Sequence, residues 1–244
     1  MTGTADLTIP VEGTGGMRVA VALPPAEAGD PVPGVVVVHE AWGLNDDIRA
    51  ICARFARHGY AAVAPDLWSA GSRLACLNRI IMEPLAAPGA GPVFALVEAA
   101  RRHLAGHERV DPARMAVIGF CMGGGFALSF GAGAPVSAAS VNYGRVPRDG
   151  GRLARVCPVV ASFGAGDASL RGAAERLERH LADYGVPADV RVYEGAGHGF
   201  MNAGGGPRWL ARLPAPLRQA HQPAAAEDAW RRIFAFFDQH VAGA

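Results

Sequence analysis

The sequence predicts an α/β fold, a mostly parallel open sheet with helices on both faces. Three observations predict it. Val35-Val36-Val37-Val38 is a continuous apolar run bounded by turns, the pattern of a strand buried on both faces. From there to the C-terminus, strand-like segments alternate with segments of helical period. Finally, the apolar stretch Met115-Ala116-Val117-Ile118-Gly119 runs straight into Phe120-Cys121-Met122-Gly123-Gly124-Gly125, a strand that must turn at once into a helix.

The elements follow in order. Leu7-Thr8-Ile9 and Met17-Arg18-Val19-Ala20-Val21 alternate and are split by Gly13-Thr14-Gly15-Gly16, which predicts a hairpin. A Pro/Gly-rich loop, 24–34, leads into the valine strand. Between Asn45 and His58, Ile48, Ile51, Cys52, Phe55 and Ala56 share one helical face; Asn45 or Asp46 caps the start and Gly59 ends it in the left-handed conformation. A strand at Tyr60–Ala64 follows, then an irregular, lid-like stretch at 69–90. Next come a helix near 92–105, the strand 115–119, a helix from Met122 and a strand at Ser137–Val141. Beyond a loop lie a strand at Val156–Phe163, a helix at Leu170–Tyr184, a strand at Val190–Tyr193 and a Gly-rich loop. In the last helix, after Pro223, Trp230, Ile233, Phe234, Phe237 and Val241 form one stripe. Arg101-Arg102 and Arg231-Arg232 read as solvated helix faces. No repeat and no linker interrupts the pattern, so 1–244 reads as a single domain.

Composition narrows the function. Half of the 244 residues are hydrophobic, enough for a large core. With a net charge of +1 there is no basic excess to attract nucleic acid. No apolar run approaches the ~18 residues of a membrane span, and the N-terminus lacks the pattern of a signal peptide. The four cysteines, Cys52, Cys76, Cys121 and Cys157, have no paired spacing, as expected for free thiols in the cytoplasm. Cys52 and Cys157 read as core residues, and Cys76 has no histidine beside it. His103 and His107 are four apart, but Gly106 between them marks a helix end, so no metal site is expected.

The Gly119-x-Cys121-x-Gly123 turn carries the chemistry. A strand reversing into a helix forces its turn residue into a strained conformation and needs small neighbours. The central side chain then projects at the carboxyl edge of the sheet, at a helix N-terminus that favours a thiolate. The N–H of Met122 points at the place where a carbonyl oxygen would become negative. Two other readings stay open. The glycines could serve packing alone, or cradle a phosphate, although Gly123-Gly124-Gly125-Phe126 lacks the lysine of a P-loop. A nucleophile of this kind needs an acid and then a histidine later in the chain, each after a strand. Asp167 follows the strand ending at Phe163, and His198 follows the strand ending at Tyr193. The set Cys121–His198–Asp167 is the candidate triad.

These residues resemble the dienelactone hydrolase family within the α/β-hydrolase superfamily, from about Val35 to the last helix. The markers are Gly119-Phe120-Cys121-Met122-Gly123-Gly124, His39-Glu40-Ala41-Trp42-Gly43, Ala64-Pro65-Asp66-Leu67, Asp167, and Gly197-His198-Gly199-Phe200. The resemblance implies a Cys–His–Asp hydrolase of small esters or lactones that needs no cofactor. It implies that Glu40 contacts the nucleophile in the resting site, and that the Ala41 N–H is the second oxyanion donor. Read alone, Glu40 could also be a loop carboxylate paired with an arginine such as Arg73. The sequence departs from the best-known member at Asn202, where that member has an arginine gripping a substrate carboxylate; Arg73 or Arg79 could supply a cation instead. Trp42, Trp68, Tyr143 and Phe200 lie near strand ends as pocket walls or as ordinary packing. Alternatives are a thioesterase or other carboxylesterase, and a thiol-reactive or ligand-binding protein that turns nothing over.

Overall fold

The computed structural model of the chain describes residues 4–26, 31–83, 89–204 and 221–243. Eight strands form one sheet: β1 (Ala5–Ile9), β2 (Met17–Ala22), β3 (Val32–Val38), β4 (Ala61–Pro65), β5 (Val110–Phe120), β6 (Ala138–Asn142), β7 (Val159–Gly164) and β8 (Ala188–Tyr193). Their spatial order is β1-β2-β4-β3-β5-β6-β7-β8. The hairpin β1–β2 and the β2–β4 pair are antiparallel, and every other pair is parallel.

Among the described residues, six α-helices cover the sheet: α1 (Asp46–Arg57), α2 (Arg73–Met82), α3 (Pro92–Ala105), α4 (Met122–Gly131), α5 (Ala173–Asp183) and α6 (Pro223–Phe237). Alternation along β3 divides the core. Val35 and Val37 pack with the apolar faces of α1 and α6, while Val36 and Val38 pack with those of α3 and α4. Farther along the sheet, α5 and Leu128 of α4 close over Val141, Val159 and Ala161. The five residues expected on the buried face of α1 are all buried, Asn45 caps it by accepting the Ile48 N–H at 3.0 Å, and Gly59 has φ +88°. The expected stripe of the last helix is likewise buried against α1.

Three expectations need correction. The stretch 69–90 is not irregular throughout, because α2 lies within it, capped by Ser72, which accepts the Ala75 N–H; 84–88 lie outside the described residues. Its helical period is hidden because Leu74 and Leu77 are exposed while Cys76 is buried, so no single apolar stripe marks a core face. Cys157 does not begin a strand; it precedes β7 by two residues and is half-buried. The arginine pairs are not wholly solvated. Arg101 is 9% exposed and held by Glu98, and Arg232 tucks its guanidinium onto Asp189.

The order of strands places the site. β3 is followed by β4 on one side, and the chain then returns to add β5 on the other, so the sheet reverses direction between β3 and β5. In an open α/β sheet, the crevice outside the carboxyl ends of such a pair is where ligands bind. Val38 pairs with Gly119 there, which sets the residues after β3 beside Cys121.

Candidate active site

Cys121 joins β5 to α4 with φ 55° and ψ −118°, one of two non-glycine residues with positive φ among those described. Such a conformation costs an L-residue about 1–3 kcal/mol and persists only where the surroundings enforce it. Here the enforcement is dense. A Cβ on Gly119 would strike the Gly123 carbonyl, one on Gly123 would strike the Val38 and His39 carbonyls, and one on Gly124 would strike that of Asn142. The Cys121 N–H donates to the Asn142 carbonyl at 3.0 Å, tying the turn to β6. The thiol is half-buried at the N-terminus of α4. Elsewhere in the fold, burial pushes the Cys52 and Cys157 thiols up to about 12.

The loops after β7 and β8 meet this thiol. His198 Nδ1 lies 2.6 Å from Asp167 Oδ2, and the Cys121 side chain is close enough to the same imidazole to favour its charged form. The other carboxylate oxygen of Asp167 accepts the Ser169 N–H at 3.0 Å and its hydroxyl at 2.6 Å. Asp167 therefore starts a short 3-10 turn, 168–170, and orients the histidine at the same time. Burial works against charge on both partners. The hydrogen bond with His198 and those from Ser169 nonetheless hold Asp167 below the usual carboxylate range. For His198, burial is outweighed by its hydrogen bonds to Asp167 and Cys121 and by their negative charge, which raise it to about 10.

Glu40 stands just beyond β3, 2% exposed, and its Oε2 has no hydrogen-bond partner among the described residues. It forms no ion pair with any arginine described, and the Arg73 side chain lies outside the described residues. Burial, helped by the charge of Asp47 and opposed by that of His198, lifts its carboxyl from 4.5 to about 7. Its backbone is fixed by His39, which sequence reasoning left without a role. His39 Nε2 accepts the Leu67 N–H at 3.0 Å, so Nδ1 carries the proton and donates it to the Glu40 carbonyl at 2.6 Å. Burial lowers the pKa of His39 and keeps it neutral. The raised carboxyl has a measurable consequence. Between pH 4.5 and 7 the folded chain holds a proton on Glu40 that the unfolded chain has released, so this group's contribution to stability falls as pH rises through that window. Glu40→Gln is expected to gain roughly 3 kcal/mol on wild type, in urea unfolding, between pH 5 and pH 8. An unchanged difference at the two pH values would contradict the buried, uncompensated carboxyl.

The remaining expected residues divide. Tyr143, the other non-glycine residue with positive φ (41°), sets its ring edge-on to His198 at 5.3 Å. Its hydroxyl donates to Asn202 Oδ1. Asn202 Nδ2 in turn donates to Asp47 Oδ2 at 2.6 Å, and the Ala203 N–H donates to Asp47 Oδ1 at 3.2 Å. Asn202 is therefore committed to the loop's own anchorage. Asp47, in the first turn of α1, was missed because an acidic residue there looks like an ordinary helix start. Phe200 is fully buried, packed behind Tyr143 and Tyr193, and so is not a pocket wall. Trp68 donates its indole N–H to the Ala41 carbonyl at 3.2 Å and, with the half-buried Trp42, flanks the turn after β3. Arg79 donates to the Ala70 carbonyl. Among the described residues, no group of three or more His, Cys, Asp or Glu side chains is placed to hold a metal ion. No helix among them is long and apolar enough to cross a membrane.

Known proteins share this arrangement of the chain. A Methylorubrum extorquens protein provisionally named a carboxymethylenebutenolidase is 28% identical over 96% of this chain and 80% of its own length. A Saccharolobus solfataricus protein of the same provisional name is 26% identical over 85% of this chain and 89% of its own. Among solved structures, a provisionally named dienelactone hydrolase from Klebsiella pneumoniae superposes with a TM-score of 0.78 at 26% identity, covering 98% of this chain and 99% of that one. The fold is that of the α/β-hydrolases. Residues 17–241, nearly the whole chain, match the model of the dienelactone hydrolase family, and the chain belongs to that family of carboxylic ester hydrolases.

Proposed function

We propose that the protein hydrolyses a small ester or lactone through Cys121, His198 and Asp167 by way of a thioester. The observation that carries this reading is the 2.6 Å contact of His198 with Asp167, with Cys121 near enough to act on the same imidazole. His198 holds the proton given up by the thiol, and Sγ attacks the substrate carbonyl carbon. The resulting oxyanion is held by the N–H groups of Met122 and Ala41. Collapse breaks the C–O bond, and the alkoxide leaves with the proton from His198. A water then gives a proton to His198 and its oxygen to the acyl carbon, the C–S bond breaks, and carboxylate and thiol are restored. Asp167 fixes the imidazole's orientation and stabilises it when charged. Glu40, close to half-ionised at neutral pH, helps the thiol lose its proton.

The names of the relatives point to lactones, and the family membership supports a carboxylic ester in general. Acid-quenching the enzyme during turnover of p-nitrophenyl acetate should leave an added acetyl mass on the peptide that carries Cys121. Turnover with the label on another residue, or no turnover of any ester or lactone, would overturn the reading.

A further inference from the structure

A cavity of about 980 Å³ opens beside the candidate site, between α2, α4 and the segment after β6. Met122, the residue after the nucleophile, is part of its wall, whereas Cys121, Glu40, Tyr143 and His198 are not. Its floor is apolar, made by Phe126, Leu128, Val146 and Leu153. Its rim carries Arg145, Arg148 and Arg152. The two carboxylates in the same wall are already engaged by backbone. Glu83 accepts the Val93 and Phe94 N–H groups at 2.6 and 3.3 Å, and Asp149 accepts that of Gly151 at 2.9 Å. Arg145 and Arg148, both exposed, have neither a hydrogen bond nor an ion pair among the described residues.

The opposite side of the site is acidic. Glu40 and Asp47 are both there, and the side chain at 202 is neutral and bound to Asp47. A substrate anion placed on that side would meet the carboxylates of Glu40 and Asp47. The leaving group must lie toward His198 to be protonated, so the acyl arm extends away from it, along α4 and past Met122.

We infer that this cavity binds the acyl arm of the substrate, and that the arm is an apolar chain ending in an anionic group held by Arg145 and Arg148. The inference rests on the proposed hydrolysis, but its test does not depend on turnover. The probes are two amides of equal length, the monoamide of hexanedioic acid, which has a carboxylate tail, and hexanamide, which does not. Titration calorimetry at low salt on the wild-type protein should show the carboxylate amide binding about tenfold more tightly, the size expected of two solvent-facing charge contacts. The advantage should shrink as salt is raised, because both guanidiniums face water. Arg145→Gln with Arg148→Gln should abolish it and leave hexanamide binding unchanged. Equal binding of the two amides to wild type, or an advantage that survives both substitutions, would overturn the inference. Turnover of p-nitrophenyl acetate by the same preparations reads the hydrolytic proposal separately, since that substrate has no tail to reach the arginines.

Discussion

Cys121→Ala is expected to lower kcat/KM for p-nitrophenyl acetate by roughly 10⁴- to 10⁶-fold, the scale seen when a nucleophile is removed from a coupled triad. What survives should be the contribution of the oxyanion donors and of binding. The fold should survive too. The side chain is half-buried and no helix or strand depends on its sulfur, so the loss of stability should be about 1 kcal/mol. Circular dichroism and a melting curve check the second half of this expectation, and initial rates check the first. A fully active alanine variant would remove the nucleophile from the proposal and leave the family membership standing.

His198→Ala should cost about as much, roughly 10⁴-fold or more in kcat, because the imidazole is asked to move a proton in both halves of the reaction. Two further readouts separate a chemical role from a merely structural one. The double variant Cys121→Ala, His198→Ala should be no slower than either single variant, since groups that act as a unit are not additive. Alkylation of Cys121 by iodoacetamide in His198→Ala should lose its rate at neutral pH and recover only as pH approaches the value of an ordinary thiol. A loss below tenfold, or an unchanged alkylation profile, would detach His198 from the mechanism.

Much of this was legible in the residues because it follows from local rules. The valines of β3 suit a strand covered on both faces, and the glycines at 119 and 123 suit a turn where helix and strand backbones touch. Asp167 and His198 were found by their positions after strands. What escaped detection depended on long-range contacts. Asp47 shows its purpose only when the loop after β8, some 155 residues away, comes down on it. Ser169 braces the carboxylate through a contact that only the folded loop reveals. Phe200 and Trp68 stood equally near strand ends, and only packing separates the buried one from the one at the turn. The helix α2 was invisible because it offers the core no continuous stripe.

The dihedral angles at residue 121 have a further consequence. Glycine would occupy that corner with less discomfort than any residue carrying a β-carbon, and the surrounding carbonyls would accept it equally well. The protein thus keeps a reactive sulfur at the position where its own backbone would be better served by no side chain at all. Durability and chemistry pull in opposite directions at this one point, and a chain with no use for the thiol would rest more easily with glycine there.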